Sequence, residues 1–185
     1  MVKRGLLTVI AGPMFAGKSS ELLKRLLWIE HNGHNILVIK PHIDDRYDAD
    51  QIVTHNQLKH PCISVIDLEL VKDNYNIMPY NFHTIFIDEA QFFDHKESVF
   101  FIEEALTNGV NVVAAGLDQD SRGIAFDTVA KLLAMADEVV KITALCTVCG
   151  QSASKTQRIG KTSSRVAVGG SDMYQPRCVE HWTRR

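Results

Sequence analysis

The chain has 185 residues, 45% hydrophobic and 23% charged, with a formal net charge of −2. That size and mix predict one globular domain, or one with a small appendage. They exclude a chain drawn to nucleic acid by overall charge, and no apolar run approaches the roughly 20 residues of a membrane helix.

Met1-Val2-Lys3-Arg4-Gly5 leads directly into an apolar, partly β-branched segment, residues 6–10, which reads as a first strand. This start predicts no signal peptide, a cytoplasmic location and cysteines that are not disulfide-bonded. Gly12-Pro13-Met14-Phe15-Ala16-Gly17-Lys18-Ser19 follows and fits G-x-x-x-x-G-K-[ST], the phosphate-cradling P-loop pattern. Residues 21–29 come next with apolar positions 22, 26 and 29, with 23 and 27, on one helical face. Strand, glycine loop and helix are the context in which consecutive backbone N–H groups and a helix dipole converge on an anion. Lys18 is then placed to reach the β- and γ-phosphates, and the Ser19 hydroxyl to ligate Mg²⁺. The bland alternative is a glycine-rich turn that opens an ordinary helix.

Residues 35–40 read as a buried strand that Pro41 closes, and residues 42–50 as a polar loop near the phosphates. A short strand at 63–66 and a short helix at 67–74 capped by Asp67 follow. Residues 84–87, Thr-Ile-Phe-Ile, end abruptly in Asp88-Glu89. A buried parallel strand delivers carboxylates to the ligand edge of an α/β sheet in this way. One of the two can hold Mg²⁺ and the other can take a proton from an attacking hydroxyl. A surface acid pair that caps a helix is the structural alternative. A helix at 96–108, a strand at 110–115, a helix at 128–135 capped by Asp127 and a strand at 138–143 complete the alternation. It predicts a parallel sheet with right-handed crossovers.

Composition changes near Ala144, so the chain divides into an α/β nucleotide-binding domain, 1–143, and a small zinc-binding domain, 144–185. Cys146-Thr147-Val148-Cys149 and Cys178-Val179-Glu180-His181 are paired C-x₂-[CH] knuckles. Cys146, Cys149, Cys178 and His181 suit tetrahedral Zn²⁺, and four protein ligands leave no open catalytic position, so the metal is structural. A redox Cys-x-x-Cys beside an unrelated Cys and His is the alternative. Cys62 reads as an inert core thiol, Trp28 as a packing residue, and the remaining histidines as surface or core residues without ligand spacing.

Taken together, GPMFAGKS, Asp44-Asp45-Arg46-Tyr47, Thr54-His55, Asp88-Glu89-Ala90-Gln91-Phe92-Phe93, Gly116-Leu117-Asp118, the knuckles and residues 168–174 resemble the zinc-bearing, cellular-type thymidine kinase family. The match runs from Leu6 to about Trp182. The resemblance implies a P-loop NTPase-type parallel sheet flanked by helices, with a C-terminal zinc domain carrying a lasso loop. It implies transfer of the ATP γ-phosphate to the 5′-hydroxyl of thymidine, with Glu89 as general base and Asp88 and Ser19 serving Mg²⁺. Asp44, Arg46 and Gln91 join the P-loop on the ATP and Mg²⁺ side. Phe92 and Phe126 wall the base pocket; Arg165, Val166, Ala167, Val168 and Gly169 form the lasso that reads thymine; Tyr174 lies against the nucleoside. The family also implies a homotetramer, inhibition by thymidine triphosphate, and no nucleic acid or membrane partner. Ser121, where the family usually carries Phe, and Ala125 and Asp127, where Pro and Gly are usual, depart from the pattern. The chain also stops at Arg185 without an added C-terminal regulatory tail.

Two other classes fit parts of the chain: a P-loop ATPase motor or switch, and a zinc-ribbon interaction module with a regulatory nucleotide site. A motor has no need of a Gly-Gly-x-x-x-Tyr loop tied down by zinc. A nucleic-acid module needs a basic stripe with aromatics, of which residues 155–165 are a weak version.

Overall fold

The computed structural model describes residues 3–44, 50–53, 58–71, 78–160 and 169–184. In chain order the strands are β1 (Leu7–Ala11), β2 (Ile36–Pro41), β3 (Gln51–Val53), β4 (Lys59–Pro61), β5 (Ile63–Val65), β6 (Thr84–Ile87), β7 (Asn111–Gly116) and β8 (Glu138–Lys141). Four short strands follow: β9 (Ala144–Leu145), β10 (Ser152–Ala153), β11 (Lys155–Arg158) and β12 (Tyr174–Arg177). The helices are α1 (Lys18–His31), α2 (His95–Thr107) and α3 (Asp127–Met135).

Six strands form one parallel sheet in the order β5-β2-β6-β7-β1-β8. Alternation at period two divides its buried side chains between two faces. Leu7, Val9, Ile85, Ile87, Val112 and Ala114 share one core with Phe101 and Ile102 of α2 and Val129 and Leu132 of α3. Ile10, Val38, Phe86 and Val113 face the other way, against Leu22, Leu23 and Leu26 of α1. Because the strands are parallel, the segments that follow β1, β2, β6 and β7 all emerge at one edge. That edge is where ligands bind in open α/β sheets.

Several local expectations are corrected. Helix α1 begins at Lys18, and its buried face is narrower than the sequence suggests, with Leu27 45% and Trp28 73% exposed. Trp28 therefore does not pack within the chain. Helix α2 is capped by Asp94, whose Oδ1 accepts from the amides of Lys96 (2.8 Å) and Glu97 (3.3 Å). Asp127 caps nothing: Phe126 is the N-cap and Asp127 lies in the first turn, where its charge suits the helix dipole. Pro41 is the last residue of β2 rather than its stop; it pairs with Val65, and the next amide, that of His42, donates to the Val65 carbonyl at 2.8 Å. Asp67 accepts from the Glu69 amide at 3.1 Å, as an N-terminal cap would, but residues 72–74 of that expected helix lie outside the described residues.

After residue 143 the pattern changes to two antiparallel ribbons, β9 with β10 and β11 with β12. Ala144, Cys146, Ala153 and Cys178 make a small cluster of their own, and Ala16 of the glycine loop packs against it. None of the described helices is long and apolar enough to cross a membrane.

Candidate active site

The loop from Gly12 to Gly17 leaves β1 in a conformation that its residue types explain. A Cβ at Gly12 would stand 2.2 Å from the Ile142 carbonyl oxygen, so only glycine fits there. Gly17 is left-handed at φ 84° and forms the N-cap of α1, and Phe15 is left-handed at φ 64° without being glycine. Such non-glycine positions cluster where a loop is over-determined by its surroundings. The Lys18 ammonium, 8% exposed, donates to the Pro13 carbonyl at 2.8 Å and so bridges the mouth of the loop.

Two strands away, β6 delivers Asp88 and Glu89. Asp88 is 5% exposed, and its carboxylate accepts from the Ser19 hydroxyl and, at 3.0 Å, from the Glu89 amide. Burial pushes the Asp88 carboxyl up to about 7, and the adjacent Glu89 charge adds to the shift. Glu89 is held at φ 49°, the left-handed region again, at the start of a short 3₁₀ turn, Ala90–Phe92. Gln91 fixes its direction: Nε2 donates to Glu89 Oε2 at 2.5 Å while Oε1 accepts from the Leu117 amide at 2.9 Å. Gln91, expected on the nucleotide side, is thus placed as the orienting partner of Glu89.

One cavity of about 280 Å³ gathers most of the expected residues. Met14, Phe15, Gly17, Lys18 and Ser19 line it together with Asp44, Asp88, Glu89 and Gln91. Phe92, Phe126, Gly169 and Tyr174 line the same cavity. Tyr174 is buried, and its hydroxyl accepts from Arg158 Nη2 at 3.0 Å. Gly12, Pro13 and Ala16 shape the loop without lining the cavity. Arg46, Arg165, Val166, Ala167, Val168 and the Thr54-His55 pair lie outside the described residues.

The motif-based reading missed Lys40, Thr156 and Arg158, which also line the cavity. Thr156 Oγ1 accepts from the Met14 amide at 3.0 Å, so the C-terminal ribbon touches the glycine loop directly. Ser121 is on the cavity wall, and the indole N–H of Trp182 donates to its carbonyl at 3.2 Å. A Cβ at Gly123 would meet the Trp182 ring at 3.0 Å, so the indole covers the back of this turn. Only pairs distant in sequence make these contacts, and no local spacing announces them.

The four knuckle ligands converge within 4.8 Å of one another. Cys149 Sγ and Cys178 Sγ are 3.8 Å apart, far beyond a disulfide bond. A tetrahedral zinc with bonds of about 2.3 Å to sulfur requires S···S edges of about 3.8 Å. Its mixed sulfur–nitrogen edges would be about 3.6 Å, and the two observed, 3.2 Å and 3.9 Å, bracket that value. At Cys146 burial opposes the thiolate, but the amides of Cys178, Val148 and Cys149 outweigh it and bring the thiol down to about 6. A thiolate is the form that binds metal. The geometry fits a structural zinc. Cys62, by contrast, is pushed up to about 11 by burial, as an inert thiol should be.

The sequence profile of the thymidine kinase family matches residues 5–182. The chain belongs to that family. Membership supports thymidine kinase activity in general and makes the chain a phosphotransferase whose expected substrates are thymidine and ATP. Among solved structures, flagellar accessory protein FlaH from Methanocaldococcus jannaschii is similar, at 15% identity and TM-score 0.52, over 82% of this chain and 76% of that one. This likeness shows the fold alone. Domain III of the Thermotoga maritima replication initiation protein DnaA overlaps 75% of this chain and 55% of its own length, at 16% identity and TM-score 0.46. A DNA replication initiation factor overlaps 75% of this chain and 40% of its own, at 16% identity and TM-score 0.44. The last two similarities carry no argument here.

Proposed function

We propose that this chain transfers the γ-phosphate of ATP to the 5′-hydroxyl of thymidine, giving ADP and thymidine monophosphate in deoxynucleotide salvage. The observation that carries the reading is the shared cavity. The glycine loop with Lys18, the Asp88-Glu89 pair and the aromatic side chains Phe92, Phe126 and Tyr174 all open into one space. A phosphate donor and a nucleoside acceptor could meet there without crossing solvent.

Glu89, aimed by Gln91, accepts the 5′-hydroxyl proton as that oxygen attacks the γ-phosphorus and the bond to the ADP oxygen breaks. Ser19 and Asp88 would hold Mg²⁺, which neutralises phosphate charge when bound. Lys18 leaves the Pro13 carbonyl for the phosphates. The transition state of phosphoryl transfer is loose, so positioning and charge stabilisation supply most of the catalysis. Asp44 lines the cavity, and the family pattern sets it and Arg46 towards the phosphates. Phe92, Phe126 and Tyr174 hold the nucleoside, and the lasso from Arg165 to Gly169 reads the base edge. The zinc-bearing segment, 144–185, acts as a separate ordering unit for that lasso. Deoxyuridine, which keeps the thymine hydrogen-bonding edge, is a second substrate. The family pattern further suggests a cytoplasmic homotetramer restrained by thymidine triphosphate.

A P-loop switch explains the glycine loop and acid pair equally well, but leaves the aromatic side of the cavity unused. A coupled ADP-release assay with each natural deoxynucleoside separates the two. Thymidine-dependent release is expected; release that no nucleoside alters would favour the switch.

A further inference from the structure

A second buried lysine stands on β2, the strand that pairs with β6 and its acid pair. Lys40 stands near the carboxyl end of β2, is 3% exposed, and lines the same cavity as Lys18. The ladder register explains its position. Ile39 pairs with Ile87, and the Asp88 amide donates to the Ile39 carbonyl at 2.9 Å. Lys40 and Asp88 are therefore the next residues along two adjoining strand ends. Residues that correspond across a ladder project to the same face. The Asp88 carboxylate thus accepts from the Ser19 hydroxyl, and Lys40 leaves the adjoining position of β2 on the same face of the sheet. The Lys40 ammonium donates to the Gln51 carbonyl at 3.0 Å, which anchors it from the neighbouring strand β3. The charges crowd around one point: the Cys62 thiol is lowered by Lys40 and raised by Asp88, Asp50 and Asp44.

A lysine in such a place is an expensive way to fill space, since an unbranched apolar side chain would pack there without desolvating a charge. What the ammonium adds is a fixed positive charge. Asp44, Asp88 and Glu89 all line the cavity, and a triphosphate would bring further negative charge to it. Lys18 is the cation the phosphates themselves would take up. We propose that Lys40 is a positioning residue for phosphoryl transfer, whose anchored ammonium holds the Asp88 carboxylate in place against repulsion from Glu89 and the incoming phosphates. The proposal rests on the phosphotransferase reading and concerns the charge on β2 alone, not the identity of the nucleoside.

The test compares Lys40→Met, which keeps the stem and removes the charge, with Lys40→Arg, which keeps the charge. Steady-state constants for both substrates, thymidine affinity by calorimetry and melting temperature are measured on the full chain. Lys40→Met is expected to lower kcat by about 10²-fold, the lower end of what losing one preorganised electrostatic partner costs. Thymidine affinity should stay within about threefold and the melting temperature should not fall, because replacing a buried charge by an apolar group is often neutral or stabilising. Lys40→Arg should recover at least about a tenth of wild-type kcat, because it keeps the charge that the electrostatic account requires. A Lys40→Met kcat within about threefold of wild type overturns the proposal. So does a Lys40→Arg variant as impaired as Lys40→Met, or thymidine affinity that falls in step with kcat. A second measurement needs no nucleoside: ATP affinity with and without Mg²⁺. Lys40→Met should shrink the Mg²⁺-dependent gain at least threefold, as expected if Asp88 is displaced; an unchanged gain overturns the proposal even if thymidine proves not to be the substrate.

Discussion

Strands β1, β2, β6 and β7 are covered on both faces by helices, whereas β9 to β12 form two short ribbons around a four-residue cluster. The first region aims its functional groups by burial: a side chain at the end of a packed strand has nowhere else to go. The second has too little apolar surface for that, and an isolated two-stranded ribbon is marginal in water. Cys146, Cys149, Cys178 and His181 converge within it, in an arrangement compatible with a structural zinc. The two regions meet where the Met14 amide bonds to Thr156, where Ala16 packs against the cysteine cluster, and where Trp182 backs the Ser121 turn. On the proposed function, the division of labour is chemistry from the sheet edge and substrate retention from the ribbon.

Substitutions at the sheet edge should strip chemistry and spare the fold. Lys18→Ala is expected to lower turnover most, and Glu89→Gln to lower it by about 10²–10⁴-fold with ATP binding retained. Rapid-mix single turnover checks the second claim, and wild-type chemistry in that variant would remove Glu89 from the mechanism. On the ribbon side the sharpest expectation is base choice. Thymine presents an acceptor at O4 and a donor at N3, and cytosine reverses both. Main-chain groups fixed for thymine leave two unpaired contacts with cytosine, at about 1–3 kcal/mol each. Thymidine should therefore exceed deoxycytidine in kcat/KM by about 10²–10⁴-fold, and a ratio under about tenfold would refute backbone readout.

Removing a zinc ligand tests the dependence of the ribbon on metal. Cys178→Ser should weaken thymidine binding and lower the melting temperature together, since freeing the chain between the knuckles raises the entropic cost of ordering it. Metal analysis should find one zinc per chain in protein purified without chelator, and finding none would sink the account. The smallest effect belongs to the junction. Trp182→Phe removes the hydrogen bond to Ser121 while keeping a ring, and should raise the thymidine KM by a few-fold, about the net worth of one hydrogen bond, with kcat little changed. Equal falls in kcat and kcat/KM would show instead that the turn serves the chemical step.

What was legible in the sequence was what neighbours in sequence carry. The glycine loop, the acid pair after an apolar run and each of the two knuckles fit within eight residues and need particular spacing to work. Strand and helix order followed from hydrophobic period. Lys40 was not legible because a lysine that ends an apolar strand looks like the strand's exit to solvent; only the pairing of β2 with β6 turns it inward beside Asp88. Arg158 and Thr156 read as part of a weak basic stripe until β11 is seen against β12 and the glycine loop. The Asp127 cap failed for a related reason: the Thr128 hydroxyl bonds to the Phe93 carbonyl at 2.6 Å, tying the first turn of α3 to a residue far away in sequence, and the helix starts at Asp127, one residue before the expected start. Nor does Ser121 leave a bare gap, because Trp182 supplies an aromatic ring from behind the turn.

That ring also makes the molecule readable by light. The chain holds two tryptophans, one lying 73% exposed on α1 and the other under the Lys155 ammonium, 5.2 Å from its ring centre, with its N–H on the Ser121 carbonyl. Replacing Trp28 by Phe leaves a single emitter between the metal knuckle and the wall of the cavity. Its emission colour and quenching then report the state of that junction in the native protein, with no label attached.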